Sequence, residues 1–479
     1  MNHATALSRS IEAIAPFRHS REHREAIPAT VRGTVPAWLR GELLRTCPVI
    51  FETAGWRAEH WFDGLGMIYG FRIDGAAIDF RSRLLDSETA REAHQGKADL
   101  AAFGTPTTRP LWRRLLAPIP RAGDNTNVNI VRLGADLVAL TESDTQMRID
   151  RETLAASGHV EYTPDDLGRA IPIAHPHFDA GRDRVVSAAL QFGRTATVSI
   201  YQHAPAARTR EVVGTWRTDR MPYLHSFGLT PRHVVLVAHP FTVSPLEMLF
   251  SNKGYIDHFG WDAQEGTCLV VMDRATGVVR EHMAAALFAF HTVNAFERGD
   301  ETVVDLLAYP DAGIVSALRV DRMAAQLPDL RPSLVRLVMR PGQERASLEA
   351  LSDVGFEFPT TNYRAVNGQP YRFAWGASNG PLADGRYASA VVKVDLQTGA
   401  SASFSDGDSI FGEPLFVARP QGDGEDDGVL LSVGSSTRTE TSALAIIDAK
   451  SMGLLATADV PGWIPLGFHG SFMRTGDPS

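Results

Sequence analysis

The sequence is poor in cysteine and has no long apolar run, and both absences limit what the protein can be. Its two cysteines, Cys47 and Cys268, lie too far apart to suggest a disulfide framework or a zinc site. This scarcity is typical of a reducing compartment, and we expect a cytoplasmic protein. No stretch approaches the ~18 to 20 consecutive apolar residues that a membrane-spanning helix needs, so we expect no membrane span.

Positive charge and nucleotide-binding motifs are also missing. The net charge is −9, and no basic tract interrupts the sequence, which argues against a nucleic-acid partner. Neither a Gly-x-Gly-x-x-Gly motif after a strand nor a Walker A loop is found, so we expect no nucleotide cofactor. No segment repeats cleanly, which disfavours a WD40 or kelch array.

Short strand-like runs dominate the sequence. Runs such as "ADLVALTES", "HVVLVAHP", "TVVDLLAY" and "GVLLSVGSS" are rich in Val, Ile and Leu and are separated by turn signals. Helical periodicity is best at the N-terminus, over 85–101 and over 321–326. So many strands without a linker predict one all-β domain over 1–479, and a β-propeller uses such strands because it adds four-stranded sheets radially.

Four histidines stand in apolar or glycine-flanked contexts scattered along the chain. They occur in "AHPHFD", "YLHSFGL", "FAFHTVNAFE" and "GFHGSF" and are His175, His225, His291 and His469. Dispersed imidazoles meet only if a large closed fold gathers them, and gathered imidazoles most often bind a transition metal. Taken one at a time, each is more often a hydrogen-bonded core or turn residue.

Three glutamates in apolar surroundings strengthen the metal hypothesis. Glu142 follows "DLVALT", Glu357 lies in "GFEFP" and Glu413 lies in "FGEPLFV". A buried carboxylate without a partner is costly, and a metal-bound imidazole offers its second ring N–H as a partner. Pairing of each glutamate with a core arginine or with backbone N–H groups stays open as the alternative.

The order of motifs along the chain resembles the carotenoid cleavage oxygenase family. The similar segments are "VPAWLRGELLRTCP", "HWFDGLGMIYGF", "DNTNVNIV", "ALTES", "AHPHFD", "FHTVNAFE", "FEFPTTN", "GEPLFV…EDDG" and "FHGSF". The resemblance runs nearly end to end. It departs at "RTCP", where the family usually has Asn-Gly before the proline, and Cys47 leaves the expected turn there in doubt.

The resemblance implies a seven-bladed β-propeller with Fe(II) on its axis and a helical or loop cap over one face. It also implies that Glu142, Glu357 and Glu413 orient three of the iron ligands and that His175 lacks such a glutamate. His177 would be a near neighbour and not a ligand. The implied iron ligands are His175, His225, His291 and His469. Glu142 would orient His225, Glu357 would orient His291, and Glu413 would orient His469.

The activity that the resemblance implies is cleavage of one C=C bond of a carotenoid or apocarotenoid by O2. Such a cleavage takes up both oxygen atoms and needs no outside reductant. Phe103 and Phe290 are candidate aromatic walls for the polyene. Similarity to the β-carotene oxygenase branch suggests central cleavage to retinal.

Three other functions stay open. A stilbene-cleaving member would carry a lysine before the first glutamate, where this chain has Thr141. An isomerase acting without O2 and a non-catalytic propeller that binds an apolar ligand are the others.

Two segments suggest contact with a membrane surface. Residues 111–121, "LWRRLLAPIPR", combine large apolar side chains with arginines, and residues 240–250, "PFTVSPLEMLF", are also apolar. Apolar side chains flanked by arginine are typical of an interfacial anchor that lies on the membrane. A surface loop or a buried strand pair is the alternative.

Overall fold

The computed structural model describes residues 21–53, 55–325, 331–378, 388–436 and 438–476, and these residues form mainly β-strands. The N-terminal segment in which a helix was predicted falls largely within 1–20, outside the described residues. Within the described part, seven sheets contain four or more strands, and their strands pair antiparallel. The all-β prediction is therefore confirmed.

We number these sheets 1 to 7 in chain order of their main strands and give the strands in their order across each sheet. Sheet 1 has Ile27–Pro28, Ala77–Leu84, Leu65–Asp74, Arg40–Ile50 and Gly470–Arg474. Sheet 2 has Ala156–His159, Met147–Ile149, Asp136–Leu140 and Asn129–Leu133. Sheet 3 has Ile171–Pro172, Arg184–Gln191, Ala196–His203 and Glu211–Thr218, with His177–Asp179 also on Arg184–Gln191.

The remaining large sheets follow the same pattern. Sheet 4 has Gly228–Leu229, His233–Ala238, Thr267–Asp273 and Val279–Ala284. Sheet 5 has Thr292–Arg298, Glu301–Ala308, Ser333–Met339 and Ser347–Ser352. Sheet 6 has Phe356–Thr360, Phe373–Ser378, Val391–Asp395 and Ser401–Phe404. Sheet 7 has Thr30–Gly33, Leu454–Val460, Thr441–Asp448, Gly428–Ser436 and Ser409–Phe411, with Leu415–Ala418 also on Gly428–Ser436.

Each large sheet shares an apolar cluster with the next. Sheets 1 and 2 share one through Leu44 and Ile130, and sheets 3 and 4 share another through Ile200 and Leu236. Sheets 2 and 3, 4 and 5, 5 and 6, and 6 and 7 are joined in the same way. Residues of sheets 7 and 1 also share a cluster.

The two ends of the described chain are held in the same sheets. The C-terminal strand Gly470–Arg474 pairs with Arg40–Ile50 in sheet 1, and the early strand Thr30–Gly33 pairs with Leu454–Val460 in sheet 7. Hydrogen bonds therefore join residues from both ends of the sequence, which keeps the residues just before Gly470 in a defined position.

Helices are short and lie in the connections between strands. The predicted helical segment 85–101 contains only the helix Glu88–His94. The predicted segment 321–326 overlaps the helix Val320–Ala325, and residue 326 lies outside the described residues. Ser87 caps the first of these helices, and Gly96 follows its end with a positive φ of 71°. The other helices and 3₁₀ turns are Leu111–Leu116, Gly313–Ala317, Tyr363–Val366, Trp61–Asp63, Pro245–Met248 and Tyr255–His258.

The segment in which Cys47 replaces the family's usual residue is part of a strand. Strand Arg40–Ile50 runs through the buried Cys47 and pairs with Leu65–Asp74, with a register shift between Pro48 and Ile50. A proline in a strand removes one donor from the ladder, which fits an irregularity at this point.

None of the helices in the described residues is long and apolar enough to span a membrane.

We predict that a buried ion pair in sheet 5 contributes strongly to stability. Arg336 donates to both oxygens of the fully buried Asp305, at 2.9 Å each, and Tyr371 donates to the same carboxylate. Asp305→Ala would leave a half-buried guanidinium without its charge partner and should lower the free energy of unfolding by about 3 kcal/mol.

The exposed pair Arg91–Asp86 provides the control. Asp86→Ala should change the free energy of unfolding by less than about 1 kcal/mol. Urea denaturation of both variants measures the difference, and equal effects would contradict the assignment.

Candidate metal centre

The four predicted histidines lie in loops that belong to different sheets. His175 lies between two strands of sheet 3, and His225 precedes sheet 4. His291 immediately precedes strand Thr292–Arg298 of sheet 5, and His469 immediately precedes the C-terminal strand of sheet 1. The four histidines are far apart in the sequence, so the arrangement of the sheets brings them together.

The four imidazoles face one point. One ring nitrogen from each histidine lies within 4.8 Å of the corresponding nitrogen of the others. The Nε2 atoms of His175 and His225 are 2.9 Å apart, and those of His291 and His469 are 3.1 Å apart. A metal–nitrogen bond of about 2.1 Å separates two ligands at right angles by about 3.0 Å, so the spacing fits a metal ion.

The three predicted glutamates each hold one of these histidines through Nδ1. The Nδ1–Oε distances are 2.5, 2.6 and 2.7 Å for the pairs His225–Glu142, His291–Glu357 and His469–Glu413. A carboxylate accepts, so Nδ1 carries the proton and Nε2 keeps a free lone pair. Among the described residues, the structure gives His175 no carboxylate partner.

The glutamates leave the Nε2 atoms of His291 and His469 unprotonated, so these two atoms, 3.1 Å apart, cannot form a hydrogen bond with each other. Their lone pairs repel unless a cation lies between them, so the donor set fits a bound metal ion. Burial, together with the other nearby histidines, lowers the pKa of His175 and of His469 well below the ordinary value. Both therefore stay neutral at physiological pH, in the form that coordinates metals.

The Glu413 corner contains a residue that the sequence reasoning missed. The buried Arg45 donates to the carbonyls of Glu413 and Phe468, at 2.7 and 2.6 Å, and its Nη2 lies 3.3 Å from the Glu413 carboxylate. Burial raises the pKa of Glu413 to about 7, and the charge of Arg45 acts in the opposite direction. Nothing in the spacing of the motifs signals this contact.

A second missed residue lies at the Glu142 corner. The buried Tyr223 hydroxyl is 3.3 Å from Glu142 Oε1 and 3.4 Å from His225 Nδ1. Its place two residues before His225 in the same motif was the available signal.

His177 is not part of the cluster. Its Nε2 is 2.9 Å from the carbonyl of Phe227, and its Nδ1 is 2.9 Å from the Tyr363 hydroxyl. Burial lowers the pKa of His177 to about 4. These contacts assign it to local structure, as expected for a neighbour.

An aromatic cavity leads to the cluster. His225, His291 and His469 line it together with the predicted residues Phe103, Phe290, Thr141 and Glu142. Phe358, which follows Glu357, also lines it and has a positive φ of 54°, a strained conformation for a large side chain. The other aromatic residues along this cavity include Phe62, Phe468, Trp61, Tyr255 and Tyr309.

The cavity also reaches an exposed apolar surface. Ile119 and Met248 line the cavity there. The two predicted interfacial segments meet at this point, because Arg114 donates to the carbonyl of Phe250 and Phe250 N donates to Pro118. We call this surface the apolar patch, and its exposed side chains are Leu111, Trp112, Leu115, Leu116, Ile119, Leu246 and Phe250.

Only the later part of segment 240–250 belongs to this patch. Phe241 and Val243 are buried in a short strand, while Leu246 is 74% exposed. The buried-strand alternative is thus correct for the first residues of this segment.

Comparisons with known proteins agree with the resemblance that the motifs carry. The family model of the retinal pigment epithelial membrane protein matches residues 17–474. The carotenoid isomerooxygenase of Galleria mellonella is 27% identical and covers 94% of this chain and 94% of its own length. The human β,β-carotene 15,15′-dioxygenase is 28% identical, over 96% of this chain and 94% of its own.

Solved structures show the same fold. A mutant of the Synechocystis apocarotenoid oxygenase matches with a TM-score of 0.82 at 23% identity, covering 95% of this chain and 97% of that one. The cobalt-substituted form of the Synechocystis enzyme matches with a TM-score of 0.81 at 24% identity and the same coverage. The chain belongs to the retinal pigment epithelial membrane protein family, the carotenoid oxygenases that its motifs resemble.

Proposed function

We propose that this protein is a non-haem Fe(II) dioxygenase that cleaves one C=C bond of a carotenoid or apocarotenoid to aldehydes. The single observation that carries the proposal is the convergence of four imidazole nitrogens at the end of an aromatic cavity. The named relatives act on carotenoids, and the similarity to the human β,β-carotene 15,15′-dioxygenase favours central cleavage to retinal.

His175, His225, His291 and His469 would hold the iron in this proposal. Four neutral imidazoles would leave the full double charge on a bound Fe(II), and that ion would supply the activation of O2. Glu142, Glu357 and Glu413 keep the Nδ1 protons of three ligands in place, so that each Nε2 stays free. Adding O2 across one C=C bond yields two C=O groups, so the electrons balance without a reductant.

The cavity walls suit a polyene. Phe103, Phe290 and Phe358 present apolar surface that excludes water, and their π faces tolerate positive charge that develops on the polyene. Thr141 lies beside Glu142 in this wall without adding charge. An electron-rich alkene can therefore lie against the four-histidine cluster without competing polar contacts.

Cleavage of a phenolic stilbene is the second candidate function, but among the described residues the cavity lacks the features that a phenolic substrate needs. A phenolate needs a cation close to the reacting bond. The lysines among the described cavity residues, Lys97 and Lys253, are both exposed. Thr141 stands where a lysine would be expected in that branch.

The whole chain would act as one domain in a closed ring of seven blades. The apolar clusters that sheet 1 shares with sheet 2 and with sheet 7 support this arrangement. Helix Leu111–Leu116 and the loops around it would contribute to a cap over the face that leads to the histidines.

We further propose that the apolar patch rests on a membrane surface from which the polyene enters. Large exposed apolar side chains flanked by Arg113, Arg114 and Arg121 suit the boundary between headgroups and acyl chains. The cavity reaches the patch at Ile119, so a substrate would pass from lipid to the aromatic wall with little exposure to water.

We predict that cleavage of the polyene requires bound iron. Protein loaded anaerobically with Fe(II) and then given O2 should convert β-carotene or an apocarotenal to aldehydes, identified by mass. Protein without metal should be inactive under the same conditions. Turnover of a stilbene alone would contradict the substrate class, and a purified protein that takes up no metal would favour the non-catalytic alternative.

A separate prediction concerns the glutamates. Glu413→Gln loses the charge that holds the Nδ1 proton of His469, so iron affinity and turnover should fall roughly 10- to 100-fold. Metal titration and initial rates measure the change.

Glu297→Gln is the matched control, because Glu297 lies 3.2 Å from Nδ1 of His233, outside the metal centre. The control should retain wild-type iron affinity. Wild-type affinity in Glu413→Gln would refute the role of that carboxylate.

Another prediction concerns the apolar patch. Leu116 is 79% exposed, and Leu116→Glu together with Leu246→Glu should weaken binding to phospholipid vesicles by roughly tenfold or more. Turnover of detergent-dispersed substrate should remain near that of the wild type. Vesicle sedimentation measures the binding.

Val278→Glu is the control, since Val278 is 55% exposed and lies outside the patch. If the control and the patch variant bind vesicles equally, the patch is not the contact surface.

A further inference from the structure

Asp63 is a buried carboxylate that the proposed chemistry does not use. It ends the short turn Trp61–Asp63 and is only 5% exposed. Its Oδ1 accepts from Phe103 N at 2.7 Å, and its Oδ2 accepts from Gly104 N at 2.9 Å and from the Thr105 hydroxyl at 2.7 Å. One side chain thus fixes three consecutive residues of another segment.

The two segments that Asp63 joins carry neighbouring rings of the cavity wall. Phe62 directly precedes Asp63, Phe103 donates to it, and their ring centroids are 4.9 Å apart. Phe62 also contacts Phe290 at 5.8 Å and Phe468 at 5.2 Å. The wall is therefore continuous from Phe103 to the residues beside His291 and His469.

A third segment depends on the same contacts. Tyr255 N donates to the carbonyl of Ala102, and Ile256 N donates to that of Phe103. Gly254 packs so closely on Gly104 that a Cβ at 254 would lie 2.5 Å from the Gly104 carbonyl carbon. Because these are backbone contacts, a shift of Phe103 would also move Tyr255, which lines the cavity.

We infer that Asp63 is a positioning residue that holds the aromatic wall at a fixed depth and thereby selects which double bond lies at the four-histidine cluster. The inference rests on the proposed polyene cleavage. Neighbouring double bonds of a conjugated chain are about as reactive as one another, so the choice among them depends on where the wall holds the chain relative to the histidines. The hydrogen bonds from residues 103–105 to Asp63, which we call the clasp, fix the position of Phe103 relative to Phe62.

The test uses Asp63→Asn in the full chain. An asparagine has one acceptor oxygen, and its NH2 group would face N–H or O–H donors, so at least one hydrogen bond to residues 103–105 is lost. The preference for the main cleavage bond should fall roughly tenfold, read as the ratio of aldehyde masses. Iron content should remain that of the wild type.

Two further variants complete the experiment. Asp406→Asn is the matched control, because Asp406 also accepts two backbone N–H groups and one hydroxyl, from Asp408 and Ser409, outside the cavity. It should leave the product ratio unchanged. Thr105→Val removes the hydroxyl that donates to Asp63 and also accepts from Glu59 N. It leaves the two backbone contacts of Asp63 in place, so it should shift the ratio in the same direction by less, and it decides the question if Asp63→Asn does not fold.

Hydrogen exchange gives a readout that does not need turnover. The amides of Phe103 and Gly104 should exchange faster in Asp63→Asn than in the wild type. Folded Asp63→Asn with a wild-type product ratio, or with unchanged exchange at residues 103 and 104, would overturn the inference. A wild-type protein that cleaves no polyene would instead overturn the proposed function and the bond selection with it, while the exchange measurement still tests the clasp.

Discussion

The rest of the structure depends on one electrostatic constraint, the approach of unprotonated imidazole nitrogens to a common point. The Nε2 atoms of His291 and His469, 3.1 Å apart, repel through their lone pairs, and a cation between them reverses that repulsion. The three glutamates enforce the constraint, because each fixes the proton of its histidine on the side away from the centre. The fold satisfies the same constraint, because loops of sheets 1, 3, 4 and 5 must place their histidines at one common point.

The constraint also explains why buried charge is tolerated around the centre. Glu413 is buried beside Arg45, and Glu142 accepts a hydrogen bond from Tyr223, so these two carboxylates have a stabilising partner besides their histidines. The substrate side has the opposite character. Aromatic rings from Phe103 to Phe290 line the approach to the histidines. The carboxylates thus contact the histidines on the side away from the metal, while apolar groups face the polyene.

The sequence reveals much of this arrangement because its signals are local. Short runs rich in Val, Ile and Leu between turn signals predict the strands, and histidine or glutamate in apolar surroundings marks the centre. The pairing of each glutamate with its histidine follows from the family resemblance, since positions such as Glu142 and His225 have no regular spacing. Arg45 and Asp63 escape prediction because their roles depend on long-range contacts, here with residues 413 and 468 and with residues 103–105. Helix lengths also escape, because a single residue such as Gly96 ends them.

The most direct test of the central claim is anomalous diffraction at the iron edge from crystals of the Fe(II)-loaded protein. We predict one peak per chain, about 2.1 Å from the Nε2 atoms of all four histidines. The absence of a peak between these rings, or an ion held by Glu142, Glu357 or Glu413 in place of the imidazoles, would contradict the account.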